Sequence, residues 1–222
     1  MASKKTLNAK NLEALGSARL SKLIIEITKG DIEAKRRLRL ELAGNQGSGA
    51  AAAEIRKRLT TIARSTSFIE WDKIKKLVKD LELHRTAIVT QVAKDNPIEA
   101  LELMWRFVAL ANTVFGRCDD SSGRVIEVFH AAVYDLDELT FNANPDPKGL
   151  SDQVFTALLE NDYGQYDYLI SSTSDALGDE GLEYLKQSFI SLSNEPTPKL
   201  KAEEREVIGF GSGRQMFADD YS

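Results

Sequence analysis

Residues 97–115 read PIEALELMWRFVALANTVF, and this stretch decides the fold. Its apolar side chains cover most of the circumference of a helix instead of one stripe, which is typical of a helix buried on all sides. Pro97 suits the first helical turn and disfavours helix at the residue before it, so a helix begins there. We predict that 97–115 is the buried central helix, with Trp105 packed in the core.

Helical periodicity continues from this stretch toward the N-terminus. A long helix is predicted over about 69–94, with Ser67 as its cap and Trp71 on its inner face. Another is predicted over about 50–65, with a basic outer face. The inner face of this second helix is formed by Ile55, Leu59 and Ile62.

Three shorter helices are predicted before these, at about 8–15, 18–29 and 31–43. Each is followed by a glycine, which adopts the left-handed conformation that ends many helices; the three are Gly16, Gly30 and Gly44. Asp31 is suited to cap the third helix. The Gly/Ser/Ala-rich stretch 44–53 is then expected to be a loop that runs into the next helix.

Four further helices are predicted toward the C-terminus, at about 124–142, 151–161, 166–177 and 179–192. Residues 144–147, Asn-Pro-Asp-Pro, break the helical pattern, and 195–222 is expected to be a flexible tail or linker. No segment shows the sustained alternation of a strand. The sequence therefore predicts an all-α helical domain over 1–194. We expect about nine or ten helices and no sheet, in a helical-hairpin or α-solenoid-like array.

Composition points to a cytoplasmic protein. The chain has 222 residues, 42% of them hydrophobic and 28% charged, as in ordinary globular proteins. No apolar stretch has the length of a signal peptide or of a membrane-spanning helix, so no membrane association is expected. The single cysteine, Cys118, cannot form an internal disulfide, which is typical of a reducing compartment.

Charge is distributed unevenly along the chain. Residues 1–92 contain 19 Lys and Arg against 10 Asp and Glu, whereas the remaining residues contain 10 basic and 24 acidic side chains. The basic sub-region 1–92 and the acidic sub-region 93–194 are compatible with two readings. The basic part binds an acidic partner, or the two parts attract each other within one fold.

A group of charged residues forms the candidate interaction surface, and its members are Lys35, Arg36, Arg39, Arg56, Lys57, Arg64, Arg117, Asp119 and Asp120. Residues three or four positions apart share a helical face, so the basic members can follow a line of phosphates. However, no exposed aromatics are interleaved with them and no nucleic-acid-reading motif is present. A solvated or internally paired face is the other reading.

The loop Arg117–Gly123, of sequence RCDDSSG, is the most unusual local sequence. Its paired aspartates suggest metal binding or a small active site, although the spacing fits no EF-hand and no known two-carboxylate motif. The alternative is that Asp120, Ser121 or Ser122 caps the next helix while Asp119 complements its dipole.

No cofactor or catalytic machinery is expected elsewhere. His130 lies about two turns inside a helix, too far from Cys118 to act as its base, and His84 is expected to be a half-buried structural histidine. With only two histidines, a His-based zinc site is disfavoured. The glycine-rich stretch 209–214 lacks the strand, Lys-Ser/Thr and helix of a phosphate-binding loop, so a linker is expected.

Five segments together resemble an uncharacterised family of proteobacterial proteins classed as a domain of unknown function. They are 5–8 (KTLN), 34–42 (AKRRLRLEL), 100–107 (ALELMWRF), 117–123 (RCDDSSG) and 177–182 (LGDEGL). The resemblance implies a helical fold and assigns no activity and no functional residue. It also implies that relatives continue with further helices, so that this chain corresponds to their N-terminal portion and 199–222 to a linker.

Two functional hypotheses remain, followed by a distant third. The first is a non-enzymatic helical scaffold that binds another protein, with oligomer formation left open. The second is a nucleic-acid-binding protein that uses its basic N-terminal half. The third is an enzyme or metal-binding protein that uses the Arg117–Gly123 loop.

Overall fold

A computed structural model describes residues 6–194, which form ten α-helices. The helices are α1 (Ala9–Glu13), α2 (Ser17–Ile27), α3 (Ile32–Gln46), α4 (Ser48–Ala63), α5 (Ile74–Ala87), α6 (Pro97–Val108), α7 (Leu110–Phe115), α8 (Arg124–Ala143), α9 (Pro147–Leu158) and α10 (Leu169–Ser193). A 3-10 turn (Trp71–Lys73) precedes α5, and a π-helical turn (Ile88–Val92) follows it. The only β pairing within the described range is an isolated parallel bridge between Ile69 and Cys118. The prediction of an all-α fold without a sheet is confirmed.

The chain divides into two compact units, Met1–Leu42 and Ala43–Ser222, and the boundary falls inside α3. We call them the N-terminal unit and the C-terminal unit. No helix between residues 6 and 194 is long and apolar enough to cross a membrane. The predicted tail 195–222, with its glycine-rich stretch 209–214, lies outside the described residues.

The N-terminal unit follows its sequence signals closely. Asp31 accepts a hydrogen bond from the Ala34 amide at 3.0 Å, which confirms it as the cap of α3. Gly16 and Gly30 have φ of 74° and 91°, values that a glycine adopts without steric cost. The helices α1 and α2 contain no buried residue.

The prediction that Gly44 ends a helix is wrong, and so is the predicted loop over 44–53. Helix α3 continues through Gly44, and Gly47, with φ of 129°, makes the turn before α4 begins at Ser48. The backbone of Gly44 instead lies close to the side chain of Gln91, since a Cβ at this position would lie 2.4 Å from Oε1 of Gln91. The predicted inner face of α4 is confirmed, with Ile55, Leu59 and Ile62 all buried.

The predicted continuous helix over 69–94, with its cap at Ser67, is also wrong. The backbone of Ile69 is held in an extended pairing: its amide donates to the Arg117 carbonyl at 2.8 Å, and its carbonyl accepts from the Asp119 amide at 3.2 Å. Helix α5 therefore starts only after the 3-10 turn at Trp71. Trp71 is 73% exposed, contrary to the prediction that it faces inward.

The predicted central helix 97–115 is present as α6 and α7, interrupted at Ala109. The side chain of Asn96 accepts from the Glu99 amide at 3.2 Å, and Pro97 occupies the first turn as predicted. Six residues of α6 and three of α7 are buried, although Trp105 is only half-buried. The buried residues are Ala100, Leu101, Leu103, Met104, Phe107, Val108, Leu110, Ala111 and Val114.

Helix α8 is the other centre of the C-terminal unit, because it packs against α5, α6 and α10. Its ring of Phe129 is fully buried and lies 5.7 Å from the ring of Phe107 and 5.6 Å from that of Phe115. These tilted arrangements are favourable for aromatic pairs. The ring of Phe129 thus joins α8 to α6 and α7.

Helices α9 and α10 form a tightly packed hairpin. Asp146 caps α9 by accepting from the Gly149 amide at 2.8 Å, and Asn144 marks the predicted break with a φ of 46°. Across the hairpin, the Ser151 hydroxyl lies 2.8 Å from the Gly181 carbonyl. A Cβ at Gly181 would lie 3.1 Å from the Pro147 carbonyl oxygen, so this helix contact depends on glycine. Helix α10 is kinked at Gly178, where the sequence predicted a boundary.

Candidate functional site

The basic residues predicted on α3 belong to the N-terminal unit. Lys35 and Arg39 are exposed, and Arg36 is half-buried. They share one face of α3, as the spacing predicted. Two of the three predicted basic residues on α3 therefore face solvent.

The basic residues predicted on α4 belong to the C-terminal unit and have divided roles. Arg56 forms an ion pair with Glu99 at 2.9 Å, which joins α4 to α6. Lys57 and Arg64 are exposed. Part of this predicted group is therefore paired internally, and two members face solvent.

The Arg117–Gly123 loop provides hydrogen-bond acceptors for the first amides of α8. The carboxylate of Asp120 accepts from the amides of Val125 at 3.0 Å and Ile126 at 3.0 Å. Asp119 accepts from the Ser121 amide at 3.1 Å, closing a local turn. Of the three candidates for the cap, Asp120 is the one used. Within residues 6–194 no group of three or more His, Cys, Asp or Glu side chains is arranged to hold a metal.

The groups considered for nucleophilic chemistry are Cys118 and the two histidines. Burial, followed by the negative charge of Asp120, raises the pKa of the Cys118 thiol to about 11, so the thiol is protonated at neutral pH. His130 directs Nε2 to the Gly164 carbonyl at 2.9 Å. His84 is buried, more deeply than predicted, with Nδ1 2.7 Å from the Asp80 carbonyl.

Arg117 lies inside the protein, although the sequence suggested it as part of a surface. It is 8% exposed. Its Nη1 and Nη2 donate to the carbonyls of Ser67 and Ile62, both at 3.2 Å, and Nε has no hydrogen-bond partner. Burial, together with the like charge of Arg58, lowers the pKa of this guanidinium.

A cavity of about 180 Å³ lies beside Arg117. The pairing of Ile69 with the Arg117–Asp119 backbone creates it, because the pairing brings the loop after α4 against the loop before α8. Its wall is mixed, with two guanidinium groups, three hydroxyl side chains and three aliphatic residues. The lining residues are Arg58, Thr61, Ile62, Ser65, Ser67, Ile69, Leu77 and Arg117.

Arg58 is the charged residue of this cavity that the sequence did not single out as a site residue. It stood in a run of three basic residues, and nothing in that run separates it from Arg56 or Lys57. In the structure it donates from Nε to Asp80 at 2.8 Å, and its Nη2 also contacts the same carboxylate oxygen. The signal that could have identified Arg58 is its position four residues before Ile62, which puts it on the same side of α4 as the buried inner face.

Helix α2 presents a second feature, an apolar face that lacks cover. Leu20, Leu23, Ile24 and Ile27 share one side of this helix by their spacing. Leu20 and Leu23 are half-buried, while Ile24 is 43% exposed and Ile27 is 77% exposed. We call these four residues the α2 face. Exposed aliphatic groups grouped in this way mark interaction surfaces.

Comparison with known proteins gives the family of the chain. A protein-family sequence model, described as "Family of unknown function (DUF6880)", matches residues 2–221. The chain belongs to this family. The match to DUF6880 confirms the resemblance to a domain of unknown function over nearly the whole sequence. No curated protein and no solved structure matches the chain.

Proposed function

We propose that this DUF6880 protein is a helical scaffold that binds a partner protein through the α2 face. The observation that supports this is the contrast between pattern and burial. Helix α2 is strongly amphipathic, yet it contains no buried residue. Fully burying an aliphatic side chain of this size contributes about 1.5–3 kcal/mol relative to leaving it exposed. Ile27, at 77% exposed, therefore has the most to contribute on binding, and the half-buried Leu20 and Leu23 contribute less.

The partner we propose has an apolar groove with an acidic rim. Residues 6–42 contain 8 Lys and Arg against 5 Asp and Glu, so the described part of the N-terminal unit has a net positive charge. An amphipathic helix that lays its apolar side into a groove is a common mode of protein recognition. Opposite charges around the groove would guide association and fix the orientation.

Nucleic-acid binding is the second proposal, and exposure of cationic side chains favours it. Lys35, Arg39, Lys57 and Arg64 all face solvent. Changing Arg36, Arg39, Lys57 and Arg64 to Glu should abolish binding, and binding of the unaltered chain should weaken steeply with salt. Absence of any shift with single- or double-stranded nucleic acid at low salt would exclude it.

The first proposal is tested with two matched variants of the full chain. The variant Ile24→Glu with Ile27→Glu places two charges on the α2 face. The control, Ile25→Glu, alters an isoleucine that is 70% exposed and lies about 100° round the helix from Ile24. Both should fold like the unaltered protein, which circular dichroism checks. The partner is captured from cell extract, purified, and its Kd for each variant is measured.

We expect the double variant to weaken binding at least about 100-fold, a loss of about 2.7 kcal/mol, and the control to weaken it less than about 3-fold. A partner that binds all three proteins equally would contradict the use of the α2 face. Self-association lost in the double variant would identify a second copy as the occupant. Binding to anionic lipid vesicles, with no protein partner, would overturn the proposal.

A further inference from the structure

The charge of Arg117 is not balanced by a carboxylate. Three other arginines of the C-terminal unit that are partly buried each have one: Arg56 pairs with Glu99, Arg58 with Asp80, and Arg85 with Asp135. Those three residues are half-buried, whereas Arg117 is buried, at 8% exposed. A buried charge that has only neutral partners is unfavourable. Of these four arginines, the residue with the lowest solvent exposure is thus the one without an anion.

The cavity beside Arg117 contains further donors. Arg58 uses Nε and Nη2 for Asp80, which leaves Nη1. Ser65 and Ser67 also line the cavity, and within the described part of the chain neither hydroxyl makes a hydrogen bond. The lining includes no Asp or Glu. The charge of Arg58 is balanced by Asp80, so the wall offers hydrogen-bond donors and the unbalanced charge of Arg117.

We propose that this cavity binds a small tetrahedral oxyanion, either phosphate itself or the phosphate group of a small monoester. A guanidinium is suited to the oxygens of a phosphate because its donors form a rigid planar fork. Serine hydroxyls complete such sites by donating to the remaining oxygens. The bound anion would balance the positive charge of Arg117, which has no carboxylate partner.

The size of the cavity limits the ligand. Its volume of about 180 Å³ is below the range of about 300–1,000 Å³ that is typical of pockets for drug-sized ligands. A phosphate group with a short alcohol fits this space. A nucleoside base and ribose would have to remain outside it. The aliphatic side chains of Ile62, Ile69 and Leu77 supply the rest of the wall.

Two variants of the full chain test the site without removing Arg117, which also supports the backbone. Ser67→Asp places a carboxylate at the cavity and would satisfy the unbalanced charge internally. Thr66→Asp makes the same change of charge one residue away, at an exposed position that does not line the cavity. Binding of inorganic phosphate to each protein is measured by isothermal titration calorimetry at low ionic strength, at concentrations up to about 50 mM.

We expect one phosphate to bind the unaltered chain, with at least a 10-fold loss of affinity in Ser67→Asp and less than a 2-fold loss in Thr66→Asp. Without phosphate, Ser67→Asp should unfold at a higher temperature than Thr66→Asp, because its carboxylate takes the place of the anion. No phosphate binding by the unaltered chain, or equal loss in both variants, would overturn the proposal.

Further titrations distinguish the source of the anion. Glycerol phosphate binding as tightly as inorganic phosphate would assign a small phosphomonoester, and binding of inorganic phosphate alone would assign the free ion. Acetate binding as tightly as phosphate would overturn the preference for a tetrahedral anion.

Discussion

The two units use the same helical pattern with opposite results. In the C-terminal unit, eight residues of α8 are buried among neighbouring helices. In the N-terminal unit, α2 has an equally regular apolar stripe and no buried residue. Periodicity therefore predicts where a helix forms and which side is apolar, but not what covers that side. We interpret the α2 face as an apolar surface that a partner protein buries.

The largest expected effect is on the free energy of unfolding, when one apolar residue in each unit is truncated to alanine. Phe129→Ala removes a fully buried ring from the aromatic cluster, which should lower the free energy of unfolding by about 3–5 kcal/mol. Ile27→Ala removes a side chain that is 77% exposed, and should change it by less than about 0.5 kcal/mol. Urea denaturation measures both. Equal losses would contradict the distinction between the units.

The next effect concerns the close contact within the C-terminal unit. Gly181→Ala forces a methyl group against Leu177 and the Pro147 carbonyl, each about 3.1 Å away, and should destabilise by about 1–3 kcal/mol. The control is Gly49→Ala, an exposed helical position with nothing within 4 Å of the added carbon. There alanine should stabilise by up to about 1 kcal/mol. Thermal unfolding of both variants checks the opposite signs.

The smallest effect compares two neighbouring aspartates. Asp120→Ala removes the acceptor of two helical amides at the start of α8 and should cost about 1 kcal/mol. Asp119→Ala removes one local turn contact at an exposed position and should cost only a few tenths. The same cost for both in chemical denaturation would show that Asp120 is not the principal cap.

Local signals made much of the fold predictable. Asp31 and Pro97 mark helix starts, and Gly16 and Gly30 mark turns with positive φ. Each acts within a few residues of itself, so sequence order is sufficient to read it. The predicted cap in the Arg117–Gly123 loop is confirmed for the same reason, with Asp120 as the residue used.

Long-range contacts could not be predicted in this way. The pairing of Ile69 with the loop at Arg117 delays the start of α5 and forms the cavity beside Arg117. Trp71, which follows this pairing, is 73% exposed. These partners are far apart in sequence, and neither segment carries a strand pattern. The solvent exposure of Ile24 and Ile27 could not be predicted either, because an exposed and a buried amphipathic helix have the same periodicity.

Hydrogen exchange of the full chain is the most direct test of the central claim that the α2 face is uncovered until a partner binds. We predict that amides of Leu20–Ile27 exchange at least about 100-fold faster than those of Val128–Leu136, because local opening of α2 exposes little new apolar surface. Adding the captured partner should slow exchange in α2 and leave α8 unchanged. Equally slow exchange in α2 and α8 in the isolated chain would contradict the account.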